Sequence, residues 1–254
     1  MIRCVLVAVA LAGEPPAGPV LENLGHDVRV NWTTLSLEVE GVAWGTGAQT
    51  WQTVEDLARR EIDAAVRQAV GSVPVTGGAR VADLVADEAL GEAIVSRIPR
   101  WEVTEATYGT SGRVALRATL SLQDLLKPWT LQIAAAADAG PPDPSWPTGL
   151  VVDARGLGAE PAYAPRLVDV DGRPLYAGEL RKDRAVQMAP YVFVTDPSHP
   201  AAAVAGAHPL SVRATATRHS DLVIGAPEEA SRILEIAGPV LSRGAVVVVT
   251  DAMD

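Results

Sequence analysis

The chain has 254 residues, 48% of them apolar and 20% charged, and a formal net charge of −10. That composition is globular and supplies enough apolar material for one large domain or two small ones. The acidic balance argues against binding to a nucleic-acid backbone or an anionic lipid surface, both of which require a basic face.

At the N-terminus, Met1-Ile2-Arg3 is a short basic start, residues 4–11 are apolar, and Ala10-Leu11-Ala12 is a small-x-small site before Gly13. This is the pattern of an abbreviated secretory signal peptide over residues 1–12, with export to the periplasm as the expectation. A buried first strand is the competing reading of the same residues. Cys4, the single cysteine, comes too early to be a lipoprotein acceptor. If it leaves with the signal, no thiol remains for a disulfide or a cysteine zinc site. No apolar run is long enough to cross a membrane as a helix.

Residues 13–27, rich in Gly, Pro and small polar residues, read as a leader. Val28, Val30, Trp32 and Thr34 then alternate with polar neighbours, and the apolar phase shifts to Leu35, Leu37 and Val39. One phase change in a period-2 pattern predicts a single long strand with a bulge or bend, ended by Gly41, Gly45 and Gly47. A helix follows, with Thr53 and Asp56 as a capping box. Its apolar stripe holds Val54, Leu57, Ala58, Ile62, Ala65, Val66 and Ala69, opposite a charged face that reads as solvated. Residues 71–80 form a loop, and residues 81–98 are helical again with a break near Gly91. Residues 101–108 and 113–122 alternate around Ser111-Gly112, a β-hairpin, and a short amphipathic piece covers 122–131. Residues 28–138 thus predict an N-terminal α+β domain. The proline-rich stretch 139–147 cannot continue a helix or a central strand and reads as a linker.

The second half, residues 148–254, opens with the buried strand Leu150-Val151-Val152. Asp153, Arg155, Gly156 and Gly158 follow it, then Pro161, Pro165 and Arg166 lead into a hairpin at Asp171-Gly172. Residues 178–208 are irregular. Residues 210–216 and 222–224 are strands joined by a polar turn, Pro227 with Glu228 and Glu229 starts a helix, and Gly238-Pro239 ends it. Residues 245–250, AVVVVT, predict a central strand.

Candidate chemistry is sparse. Gly156-x-Gly158 lacks the third glycine and the following helix of a dinucleotide loop. Asp169-x-Asp171-Gly172 begins like a calcium loop but lacks the later oxygen ligands, so a hairpin turn is the better reading. His219-Ser220-Asp221 cannot act as a hydrolase triad, because adjacent side chains diverge. The four histidines are scattered, which gives no metal-ligand spacing. Asp153 and Arg155 lie on one face at a strand end. They read as a structural ion pair that fixes the glycine turn, with a ligand-binding pair as the alternative.

The run Thr148-Gly-Leu-Val-Val-Asp-Ala-Arg-Gly-Leu-Gly158, then Pro161, Ala164-Pro165-Arg166, Asp169-x-Asp171-Gly172-Arg173 and Leu175-Tyr176, carries a family likeness. It resembles the small bacterial envelope lipoprotein family that includes the flagellar basal-disk lipoprotein and relatives of the flagellar assembly protein T. His208-Pro209-Leu210-Ser211-Val212-Arg213-Ala214, Asp221-Leu-Val-Ile224 and residues 246–251 are similar to that family in order and spacing. This chain departs from the lipoprotein members in having no lipobox. The resemblance implies an α+β, non-enzymatic, exported domain without cofactor or metal. It also implies action through protein partners in the cell envelope, self-association among them, around a flagellum in some members, with no integral membrane segment and no nucleic acid. The residues Asp153, Arg155, Gly156, Gly158, Pro161, Pro165, Arg166, Asp171 and Gly172 are then a structural motif. A second expectation is a periplasmic peptide- or glycan-binding module that uses Trp44, Trp51 and Trp146 near turns.

Overall fold

The structure is a computed structural model, described over residues 18–25, 27–133, 145–176, 191–237 and 246–253. The expected signal peptide, most of the linker and the helix stop at Gly238-Pro239 lie outside the described residues. The fold class is α+β, with two sheets on either side of the proline-rich stretch.

The first sheet is antiparallel. Its strands are β1 (Leu21–Gly25), β2 (Val28–Asn31), β3 (Ser36–Trp44), β6 (Glu102–Tyr108) and β7 (Arg113–Ser121), in the order β1-β2-β3-β7-β6. Part of the expected leader is therefore strand β1, whose register with β2 runs from Leu21↔Asn31 to Gly25↔Val28. The single bent strand expected over residues 28–39 is instead a hairpin, with Val28 opposite Val39. Asn31 explains the turn: its Oδ1 accepts the N–H groups of Thr33 and Thr34, both at 3.1 Å. Leu35 closes it in the left-handed region at φ 54. Such side-chain acceptance lets the chain reverse, and a phase change alone does not distinguish reversal from a bulge.

Helix α1 (Trp51–Ala69) covers one face of this sheet and buries Val54, Ala58, Ile62, Val66 and Ala69. Its cap is Thr50, whose Oγ1 accepts from the Thr53 N–H at 3.3 Å, rather than a box built on Thr53 and Asp56. Gly41 does not end β3; it lies inside it. A Cβ there would collide with the Ala58 carbonyl oxygen and the Ile62 side chain, so its lack of a side chain lets α1 lie close.

The expected loop over 71–80 contains a small hairpin, β4 (Pro74–Thr76) with β5 (Ala79–Arg80). The next helical stretch divides into α2 (Val81–Val85) and α3 (Glu88–Val95). The break falls at Asp87, whose side chain caps α3 through the Leu90 N–H, so Gly91 is inside a helix. Helix α4 (Leu122–Ile133) is the expected amphipathic piece.

The second sheet is mixed, in the order β10-β9-β13-β12-β8-β14-β11. Its strands are β8 (Leu150–Asp153), β9 (Leu167–Val168), β10 (Pro174–Tyr176), β11 (Tyr191–Val194), β12 (Leu210–Arg218), β13 (Asp221–Ile224) and β14 (Val246–Val249). Strands β12, β8, β14 and β11 run parallel, and β14 is buried at every position between β8 and β11. The hairpins β9–β10 and β12–β13 and helix α5 (Pro227–Ala237) stand where the sequence places them. Strand β11 lies in a stretch expected to be irregular; its Tyr-Val-Phe-Val run is too short to carry a period.

The halves meet through backbone and core. The Tyr163 N–H donates to the Pro74 carbonyl at 3.1 Å and the Ala164 N–H to Val75 at 2.7 Å, so the arm before β9 extends the small β4–β5 hairpin. Trp32 meets Phe193 edge-on at 5.9 Å between ring centroids, and Trp129 meets Tyr163 at 6.2 Å. Residues from both sheets form one continuous buried cluster.

Candidate functional site

The motif residues fall into two groups. In the first, Asp153 stands at the C-terminal end of the interior strand β8, where its carboxylate accepts from Arg155 Nε at 2.9 Å, Arg155 Nη2 at 2.7 Å and the Arg155 N–H at 3.2 Å. Those hydrogen bonds hold the Asp153 carboxyl below the usual carboxylate range. Gly156 (φ 77) and Gly158 (φ 60) then turn the chain in the left-handed region, where an L side chain is strained. The turn is pinned to the last segment by the Gly156 N–H, which donates to Asp251 Oδ2 at 2.8 Å. Pro161 and Pro165 are buried within the arm that pairs with β4.

The second group lines a cleft of about 490 Å³ between the β4–β5 turn and the hairpins β9–β10 and β12–β13. It gathers Gly77, Arg166, Val168, Gly172, Arg218, His219 and Asp221. Asp221 is 4% exposed and accepts from the Arg166 N–H at 3.1 Å and Arg166 Nε at 3.0 Å. This raises the already high pKa of Arg166 further and keeps the buried carboxylate paired. Arg218 Nη2 donates to the Val170 carbonyl at 2.8 Å, across Gly172. Asp169 holds the adjoining turn: Oδ1 accepts from the N–H groups of Asp171 (2.9 Å) and Arg173 (2.8 Å).

Arg166 and Gly172 thus reach the cleft, Asp171 is exposed beside it, and Asp153, Arg155, Gly156 and Gly158 belong to the other group. Sequence reasoning places Gly77 in a loop and Arg218 and Asp221 in a polar turn, and weighs Asp221 only as a triad member and as part of the family likeness, with no role in a cleft for any of the three. The available signal was chemical, because a carboxylate opening a fully apolar strand needs a cation. Ser220 is buried, and its Oγ has no hydrogen-bond partner among the described residues. It therefore engages neither His219 nor Asp221, and the Asp221 carboxylate is already taken by Arg166. Among the described residues no three His, Cys, Asp or Glu side chains gather as a metal site would require, and no described helix is long and apolar enough to cross a membrane.

Trp44, Trp51 and Trp146 are exposed by 63%, 49% and 40%. Trp51 rests edge-on against Tyr108 at 5.8 Å, and the Tyr108 hydroxyl donates to Glu55 at 2.9 Å.

No curated protein matches the chain. Residues 149–252 match a family model described as Treponema pallidum Tp0624, second domain. The second sheet, with both motif groups, is therefore similar to a domain of a bacterial protein.

Proposed function

We propose that the chain is a non-enzymatic protein of the bacterial cell envelope, exported to the periplasm and acting through protein–protein contacts in a flagellar or other envelope assembly. The observation that carries this reading is how the charged motif is used. Asp153 with Arg155 spends its hydrogen bonds on a turn, and Arg166 with Asp221 on tying the residue before β9 to the start of β13. A site built for catalysis would leave an acid, base or nucleophile free to meet a substrate. The flagellar part of the reading rests on the likeness of residues 148–176 to the basal-disk lipoprotein family.

The test is fractionation of cells together with deletion of the gene, followed by motility assay and imaging of the envelope. Recovery in the periplasm with an altered envelope or flagellum is expected. A cytoplasmic, strictly monomeric protein whose loss leaves motility and envelope unchanged overturns the reading.

A second reading, a periplasmic peptide- or glycan-binding module, is favoured by the exposure of Trp44, Trp51 and Trp146. Aromatic faces left in water are a common means of gripping such ligands. Replacing all three by Ala would then abolish binding to peptides or glycans while leaving the fold intact.

A further inference from the structure

We propose that the open edge at the end of β3 binds an extended, basic segment of a partner protein as an added β-strand. The backbone register is the starting point. The Gly45 N–H donates to Gly112 at 2.8 Å and the Leu122 N–H to Leu35 at 2.9 Å. In an antiparallel ladder this parity turns the odd-numbered β3 residues toward β7 and the even-numbered ones the other way. On that other side Ser36 and Glu38 meet Asn31 and Arg29 of β2, and the Glu40 N–H reaches the Asp27 carbonyl at 3.3 Å. Strand β2 begins at Val28, opposite Val39, so the ladder stops there. The N–H and C=O groups of Val42 and Trp44 point beyond it with no partner among the described residues.

The other described edges are guarded. Strands β1 and β6 carry register shifts at Asn23/Gly25 and Val103/Glu105. Strand β10 is three residues long and begins with Pro174. Strand β11 is covered by the Pro19↔Val194 bridge, and the Thr33 hydroxyl donates to the Phe193 carbonyl at 2.7 Å. Bulges, prolines and covering segments are how sheets avoid unwanted pairing. The end of β3 has none of these, and a groove of about 470 Å³ runs beside it.

The groove's lining selects the occupant. Asp27, Glu40 and Glu61 are acidic, Trp44 stands at one end, and Ala64 and Ala65 of α1 form a low wall. An added strand would place alternate side chains on opposite faces of the sheet. Lys or Arg in one row would face Asp27, share Glu40 with Arg113 and Arg117, which stand 3.6 and 4.0 Å from its carboxylate, and lie over the exposed Trp44 ring. Small apolar residues in the other row would fit against Ala64 and Ala65. A second copy of this chain, at a net charge of −10, has the wrong sign for that edge. Backbone pairing would supply affinity and the alternating rows specificity. The inference rests on the protein-contact reading above and names the partner's chemistry.

The test uses the folded chain with a labelled peptide of alternating Lys and Val, read by fluorescence anisotropy, against a Glu-Val peptide of equal length. Val42→Pro removes an edge N–H and no ladder bond, so the fold should persist. It should weaken Lys-Val binding by about tenfold, the effect of roughly one net hydrogen bond plus a steric mismatch. Glu61→Lys, on the exposed flank of α1, should also weaken it, and added salt should do the same. Saturable Lys-Val binding lost in both variants supports the proposal. No saturable binding, equal binding of the Glu-Val peptide, or wild-type affinity retained in either variant overturns it. Dimerisation that Val42→Pro abolishes, without Lys-Val binding, assigns the edge to a second copy and also overturns it. An exported protein with an envelope phenotype that ignores the Lys-Val peptide fails this inference alone and leaves the broader reading standing.

Discussion

The guanidinium of Arg166 closes on the Asp221 carboxylate, with Nε 3.0 Å from Oδ2. This ties the residue before β9 to the first residue of β13, its parallel neighbour. The acid is buried and the base half-exposed, so the two truncations are not equivalent. Arg166→Ala strands a buried carboxylate and should cost about 2–4 kcal/mol, whereas adding Asp221→Asn should restore part of that loss. Urea denaturation of the two single variants and the double variant at neutral pH measures the coupling. Additive losses would show that the pair does not stabilise the junction.

Gly156 holds φ 77, and an added Cβ would meet no atom within 4 Å. Any cost of substitution therefore comes from the backbone and not from a clash. Gly156→Ala should destabilise by about 1–2 kcal/mol, the cost of the left-handed region for an L residue. Gly156→Asn should lose less, because Asn tolerates that region better. Equal thermal midpoints for wild type and Gly156→Ala would mean that the turn relaxes without strain.

How much of this was legible depended on whether local signals were enough. The hairpin at Asp171-Gly172 and the β12–β13 turn announce themselves through turn chemistry within a few residues. The buried strand at Val246–Val249 announces itself through composition. The β2–β3 reversal looks like a bend in the sequence because its determinant is one Asn31 side chain accepting two N–H groups. Strand β1 is invisible in the sequence because its value lies in pairing with β2, which composition does not register. At the candidate site, Arg166 and Gly172 were visible in the motif. Arg218 and Gly77 were not, since the cleft forms only when the β4–β5 hairpin from the first half meets two hairpins of the second.

Thr33 ties the first sheet to the second through one hydroxyl. Its Oγ1 accepts from the Val20 N–H at 2.9 Å and donates to the Phe193 carbonyl at 2.7 Å. Thr33→Val keeps the shape and removes both bonds, leaving two buried backbone groups unpaired, for an expected loss of about 2–3 kcal/mol. Thr33→Ser should retain most of the stability, since the hydroxyl remains. Amide exchange at Val20 gives a local readout: it should quicken in Thr33→Val beyond what the global loss explains. Unchanged protection there would mean that the hydroxyl does not hold the segment.

Glu22 supplies a pH-dependent prediction. Its carboxylate accepts from the indole N–H of Trp32 at 2.8 Å, and burial pushes its pKa above the ordinary carboxylate value. The Trp32 hydrogen bond and the charge of Arg80 pull it partly back, and Glu160 pushes it further up. The unfolded chain releases this proton in the usual carboxylate range, about pH 4.3. The native chain holds it to higher pH, so within that window the native state binds more protons and stability falls as pH rises. The stabilising contribution is fully present below the unfolded value and is lost as pH climbs through the native one. Glu22→Gln keeps an oxygen acceptor for Trp32 and removes the charge. It should therefore be more stable than wild type at neutral pH, with the gap closing as pH falls below the ordinary carboxylate range. Urea midpoints for both proteins across that range decide the matter. Parallel curves would show that burial does not raise the Glu22 pKa.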